Sequence, residues 1–382
     1  MENELPPEPN PHPTPEPEAV PQVPAQIAVS AAVATPSAED PAVAAPPAYR
    51  DRSTGLVVFG IVEIIVGLLS GLMIPLAVLG AVVSRLNPGG GMRVGQIISG
   101  VSIYAFIAAG FLCLGIGSIQ YKRWARALSL ITSCYWLLSG TLLTVLMTAV
   151  LPLMMRTILQ RQENTNPGAS QEMTTGVMAV MLTFIIVFMA FFLIVLPIAF
   201  IVFYSRKDVA ETCRHRDPVE RWTDRSPLPV LGGSVVLAVG AVYLLVTAVT
   251  VPLFPFFGRY LYGISGAACL LGFAILDGSL AVAFYRLKSA GWWIAIFSLP
   301  VRLISMAITY GRADLMQAYS KMGLSDAQLQ AYNSSPLSRS HVFLWWSLLS
   351  SIIIYAYLLW LKRYFKAESM PQQPEALPVQ IG

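Results

Sequence analysis

The sequence predicts an all-α fold: a polytopic membrane helix bundle of about eight transmembrane helices. Three observations predict it. Of the 382 residues, 12% are charged and 55% hydrophobic, whereas soluble domains average roughly 25% charged. Eight apolar segments follow one another along the chain, and each reaches the roughly 20 residues that a helix needs to cross hydrocarbon. Lys and Arg alternate in density between the loops on the two sides, which fixes an orientation.

Residues 1–50 contain many Pro, Ala and Glu, and no Lys or Arg precedes Arg50. Such a stretch has too little apolar surface to form a core, so a disordered cytoplasmic tail is expected, with local polyproline II character around 6–17. Its acidic start and lack of an early apolar run do not fit a secretory signal.

The first four apolar segments are 54–84, 94–120, 127–155 and 173–203; the last four are 230–257, 260–285, 292–311 and 341–361. No strand-like alternation is visible, and backbone in lipid must satisfy its own hydrogen bonds, so helices are expected throughout. Segments one, three and four exceed the minimum, which predicts tilt or protruding ends. Between the two sets of four lies the charged joint, 206–229, read as a solvated cytoplasmic linker. Residues 367–382 read as a second disordered tail. The expected organisation is therefore 1–50, 51–205, 206–229, 230–366 and 367–382.

With the N-terminus inside, about sixteen basic residues lie in inner loops and eight in outer loops. Both termini are then cytoplasmic. Aromatics at Tyr121, Trp124, Tyr204, Trp222, Trp292, Trp293, Trp345, Trp346 and Trp360 fall where interfacial belts are expected. The longest outer loop, 312–340, reads as two short helices. Gly323 suits the end of the first, and Ser325 with Gln328 suits a capping box opening the second. A hairpin on the membrane surface is the favoured reading, with a lid over an outward cavity as the alternative. Asn333-Ser334-Ser335 matches a glycosylation sequon, a motif common by chance.

Two readings of the internal similarity stay open. Pro75 corresponds to Pro252, Gly110-Phe111 to Gly272-Phe273, Gly117-Ser118 to Gly278-Ser279, and the turn at 121–128 to that at 285–296. Their common order favours a four-plus-four duplication over shared membrane-protein composition. With an even number of spans per half, the repeats are parallel.

Ionisable groups inside spans cost about 2.5–3.5 kcal/mol each at a helix centre and mark the candidate polar site. They are Glu63, Asp277 and Arg302. Asp277 and Arg302 lie within reach of each other on adjacent segments, with Arg302 just after a helix-bending Pro300. The three converge on one mid-membrane site if the protein moves an ion or polar solute. In the structural reading, which is favoured, Asp277 and Arg302 form a buried pair that fixes helix register, and Glu63 faces a water-filled crevice or a neighbouring Ser or Tyr. Gly60, Gly67, Gly115, Gly117, Gly232, Gly233 and Gly240 are read as close-packing positions. Met154, Met155, Met178 and Met181 are read as lipid-facing or gap-filling.

Other chemistry finds little support. His12, His215 and His341 fall in different regions, and Cys213-Arg214-His215 lacks the partner pair of a zinc site. Dinucleotide, P-loop, zinc-protease and nucleophile-elbow motifs are missing, so neither an enzyme nor a cofactor is expected. The basic residues form no stripe for nucleic acid. The partners expected are the lipid bilayer and anionic lipid at the inner basic loops.

The stretch 217–229, DPVERWTDRSPLP, resembles loops in uncharacterised bacterial multi-spanning membrane proteins. The resemblance implies a bacterial inner membrane and carries no activity with it. The sequence expectation is an integral membrane protein of structural or regulatory kind, with a transporter or channel as the alternative.

Overall fold

The computed structural model describes residues 50–86, 94–165, 171–321, 329–330 and 340–366. Both expected tails, apart from Arg50, lie outside the described residues, as do Gly323, Ser325, Gln328 and the sequon. The rest belongs to one compact unit, Tyr49–Gly382.

Among the described residues, eight helices are long and apolar enough to cross a membrane. They lie in α1 (Ser53–Leu86), α2 (Val94–Ile119), α3 (Arg123–Thr165), the run from α4 (Gln171–Ala190) to α5 (Leu196–Tyr204), α7 (Leu228–Thr250), α8 (Gly263–Tyr285), α9 (Ser289–Arg312) and α11 (Ser340–Lys366). Between 11% and 33% of each span's most apolar window is buried. The remainder points outward, as with Ile264 at 91% and Ile275 at 72% exposure, so the bundle presents its apolar side chains to a bilayer.

Within each half the first helix packs on the second and the third on the fourth. In the first pair, Gly60 and Gly115 let the α1 and α2 backbones approach directly, and Gly67 faces the Ala108 carbonyl. Gly240, by contrast, has open space around it. In the fourth span, a π-helical turn at Phe191–Val195 joins α4 to α5, with the Leu196 N–H donating to the Phe191 carbonyl. Pro197 has no N–H for the Leu193 carbonyl, so the regular ladder fails there. Gly140 of α3 leaves room for that same carbonyl. In contrast, α9 continues as one helix through Pro300.

The fifth and sixth segments depart from expectation. Helix α7 ends at Thr250, and residues read as helix form a hairpin, β1 (Leu253–Phe256) and β2 (Arg259–Tyr262). Leu253 pairs with Tyr262 and Phe256 with Arg259, antiparallel. Phe257 and Gly258 turn the chain with φ of 38° and 91°. Positive φ at both positions suits a two-residue hairpin turn whose twist matches the strands. Pro252 and Pro255 cannot donate to a helical ladder, while their apolar surroundings keep the hydropathy of a span. The hairpin sits on α9: Phe257 N–H donates to Ser305 Oγ and Gly258 N–H to Thr309 Oγ1, both at 3.0 Å. Ser305 in turn donates to the Pro255 carbonyl.

At the opposite end, called here the joint end, the turns α2–α3 and α8–α9 are built alike. Tyr121 N–H donates to the carbonyl three residues back and Lys122 N–H to the one five back; Leu287 and Lys288 repeat both bonds. Tyr121 and Leu287 both have positive φ, 58° and 55°. This is the bonding of a Schellman helix end, usually made with glycine. The match puts Tyr121 opposite Leu287, two positions from the sequence alignment with Tyr285.

The stretch read as a charged linker contains a helix of its own, α6 (Lys207–Arg216). Val209, Thr212 and Cys213 lie on one buried face, and Arg214, His215 and Arg216 occupy the last turn, where cations complement the helix dipole. A single turn at Trp222–Asp224 follows. Beyond the hairpin end, α10 (Leu315–Lys321) matches the first of the two short helices expected in the loop.

The glycine contact is directly testable. A methyl group at Gly115 would lie 2.6 Å from the Gly60 carbonyl oxygen, whereas one at Gly110 meets nothing within 4 Å. Gly115→Ala is expected to destabilise by about 1–3 kcal/mol. Gly110→Ala is expected to be neutral or to stabilise by up to about 1 kcal/mol. Melting temperatures of the purified variants in one detergent check both.

Candidate functional site: two intramembrane polar clusters and a charged joint

Asp277 and Arg302 meet. Helix α8 presents Asp277 and α9 presents Arg302, and the pair is bidentate: Nη1 donates to Oδ2 at 3.1 Å and Nη2 to Oδ1 at 2.5 Å. The Asp277 side chain is 8% exposed and that of Arg302 is 30%. The guanidinium also lies 4.5 Å from the Phe273 ring centroid. Phe273 stacks in turn on Phe254 of the hairpin. A planar guanidinium can engage a carboxylate with two parallel bonds and an aromatic face at once, which Lys cannot. Arg302 Nε is buried without a partner.

Glu63 belongs to a different cluster. It is 1% exposed, and Ser118 Oγ donates to its Oε2 at 3.1 Å. Ser118 Oγ also lies 2.9 Å from the Tyr204 hydroxyl, and buried Ser129 borders the same carboxyl. None of these residues touches Asp277 or Arg302 among the contacts described. Glu63 is ten residues inside α1, yet Ser118 is one residue from the end of α2 and Tyr204 ends α5. The cluster therefore sits toward the joint end of the bundle. At the same end, the Arg52 N–H ahead of α1 reaches Thr212 of α6.

A neighbouring Ser or Tyr was one of the surroundings expected for Glu63, and Ser118 and Tyr204 are the residues that fill that place. Tyr204 was placed in an interfacial belt, but it is fully buried; Trp292 likewise is 4% exposed, its Nε1 donating to the Leu358 carbonyl at 2.7 Å. Trp222, Trp293 and Trp360 do point outward. A tyrosine at the end of a span reads the same in sequence whether its ring faces headgroups or a neighbouring helix.

The joint is tied to both halves. Arg52 pairs with Asp208 and Arg123 with Asp224, at 3.5 and 3.3 Å. Arg221 engages Asp217 with two bonds, at 3.2 and 3.0 Å, and the Arg123 N–H also points at Asp217. The Arg221 guanidinium holds the Asp217 carboxyl below the usual carboxylate range. Its contribution to stability is thus fully present above the ordinary value and is lost as the pH falls through the lowered one. On the second half, Ser226 Oγ donates to the Tyr285 carbonyl and the Tyr285 hydroxyl to the Trp222 carbonyl. Burial pushes the Cys213 thiol up to about 11, so it is a neutral packing group at physiological pH. All four cysteines are free.

No family model matches the chain, and no curated protein or solved structure does so either.

Two mutant sets probe the clusters. Arg302→Met leaves the Asp277 carboxylate without its cation and is expected to destabilise by about 3–5 kcal/mol. Asp277→Asn combined with Arg302→Met is expected to recover a large part of that loss, giving a clear coupling in a double-mutant cycle of melting temperatures. At the other cluster, Glu63→Gln keeps an acceptor for Ser118 and is expected to be mild. Glu63→Leu removes it and is expected to cost about 1–3 kcal/mol.

Proposed function

We propose that this chain is a structural or regulatory integral membrane protein whose charged joint and tails are its working surface, open to protein partners or anionic lipid. The observation that carries the reading is the state of the intramembrane polar groups. Glu63, Asp277 and Arg302 are all bonded to protein groups, and in two clusters with no shared residue. A transporter of polar solutes needs such groups gathered around a common path. Here they are placed as pairings that fix helix register, while the free charge gathers at the joint.

The topology belongs to the same proposal. The excess of Lys and Arg puts the joint and both termini in the cytoplasm, in a bacterial inner membrane. Residues 51–205 and 230–366 are then parallel duplicated halves joined by 206–229. The matched turns at Tyr121 and Leu287 and the matched helix pairing support the duplication. The two copies have diverged at the core: where the first holds Ser118 and Tyr204 around Glu63, the second packs Phe284, Leu361 and Phe365. A reporter fused after residue 217 is expected to read cytoplasmic.

Reconstitution into vesicles loaded with a pH-sensitive dye tests the activity. Ion or proton flux is expected to equal that of empty vesicles, with Asp277→Asn lowering the melting temperature alone. A flux abolished by Asp277→Asn and Arg302→Met at unchanged melting temperature establishes transport instead.

A further inference from the structure

We propose that the joint holds a binding site for a phosphate-bearing anion, a phosphomonoester or phosphodiester group, between α3, α6 and the first turn of α7. This deepens the reading of the joint as a contact surface for anionic lipid and rests on it.

A pocket of about 160 Å³ opens there, lined among others by Arg123, Arg126, Arg214, Thr223, Asp224 and Leu228. A single water needs about 10–15 Å³ of such space, so the pocket has room for a group of several heavy atoms. Three guanidiniums face one carboxylate. Asp224 is already engaged, accepting from the Arg221 N–H at 2.9 Å and pairing with Arg123. Among the described residues, Arg126 and Arg214 form no ion pair. The pocket therefore carries an excess of about two positive charges.

The second observation is independent of charge. Thr223 is 3% exposed, and its Oγ1 has no hydrogen-bond partner; the Nε of Arg126 is buried and unpartnered as well. Each such group is left with its desolvation penalty uncompensated, and orphaned buried polar atoms are rare enough to require an explanation. Both border the same pocket. An anion with several oxygens satisfies a hydroxyl donor and a guanidinium fork together. Leu228 opens α7, so the positive end of a 23-residue helix borders the site, which favours the same ligand. The pocket lies where α3 and α7 begin, at the level of headgroups in a bilayer. A phosphate there comes either from a lipid headgroup or from a soluble phosphate.

The test uses the full-length protein in a nonionic detergent. Two probes are titrated separately, short-chain phosphatidic acid and inorganic phosphate, with affinity from calorimetry and melting temperature as a second readout. Arg126→Gln, Arg214→Gln and Thr223→Val are compared with wild type, and Arg286→Gln serves as a control at the same end of the bundle. Arg214 is exposed, so its variant keeps the test valid if Arg126→Gln fails to fold. The expected result is binding to wild type and the control, at least tenfold weaker in the pocket variants. Binding of phosphatidic acid that inorganic phosphate does not displace identifies a lipid headgroup. Binding of inorganic phosphate that displaces the lipid identifies a soluble source. Failure of both probes to bind, or equal binding by all variants, overturns the site. The flux measurement judges the structural reading and this titration judges the pocket, so the two fail separately.

Discussion

Everything irregular in this bundle answers one constraint: hydrocarbon offers no hydrogen bonds, so each polar group must find its partner within the protein. The helices meet it through their own backbones. Where they break, the answer is local and specific. The hairpin after α7 hands its turn amides to Ser305 and Thr309. The carboxyl of Asp277 is matched by both ends of one guanidinium, and that of Glu63 by a hydroxyl at the end of a neighbouring helix. The π-turn before Pro197 accommodates a missing donor, with Gly140 making space beside the freed carbonyl. Polar side chains in such a setting are explained first by what they satisfy, and function is sought where something stays unsatisfied.

By that criterion the joint stands apart. Deeper in the described spans, the Nε of Arg302 and the Oγ of Ser129 are single unmet groups. Around α6 and the Trp222–Asp224 turn, orphaned atoms occur together with arginines that form no ion pair among the described residues. The same segment bonds to the start of α1, the α2–α3 turn and the end of α8. The joint is thus bonded to spans on both sides of it in the chain.

The sequence made some of this legible and hid the rest for physical reasons. Eight spans followed from hydropathy, because lipid selects for composition over long windows. The Asp277–Arg302 pair followed from the cost of a lone charge and from two adjacent helices. The hairpin was hidden because Leu-Phe-Pro-Phe is as apolar as a helix, and hydropathy does not count hydrogen-bond donors. Its signal was the pair Pro252 and Pro255 ahead of a Gly turn. Helix α6 was masked by its charges, although Val209, Thr212 and Cys213 show helical spacing. The pocket was out of reach altogether, since Arg126 and Thr223 are nearly a hundred residues apart and each looks ordinary alone.

The hairpin also bears on how the chain is made. Its turn amides depend on hydroxyls at Ser305 and Thr309, about fifty residues further along. When Phe257 and Gly258 leave the ribosome those acceptors do not yet exist. Water must serve in their place until α9 has been synthesised and inserted. Closure of this end of the bundle is thus a late event in biogenesis, timed by translation of the seventh span.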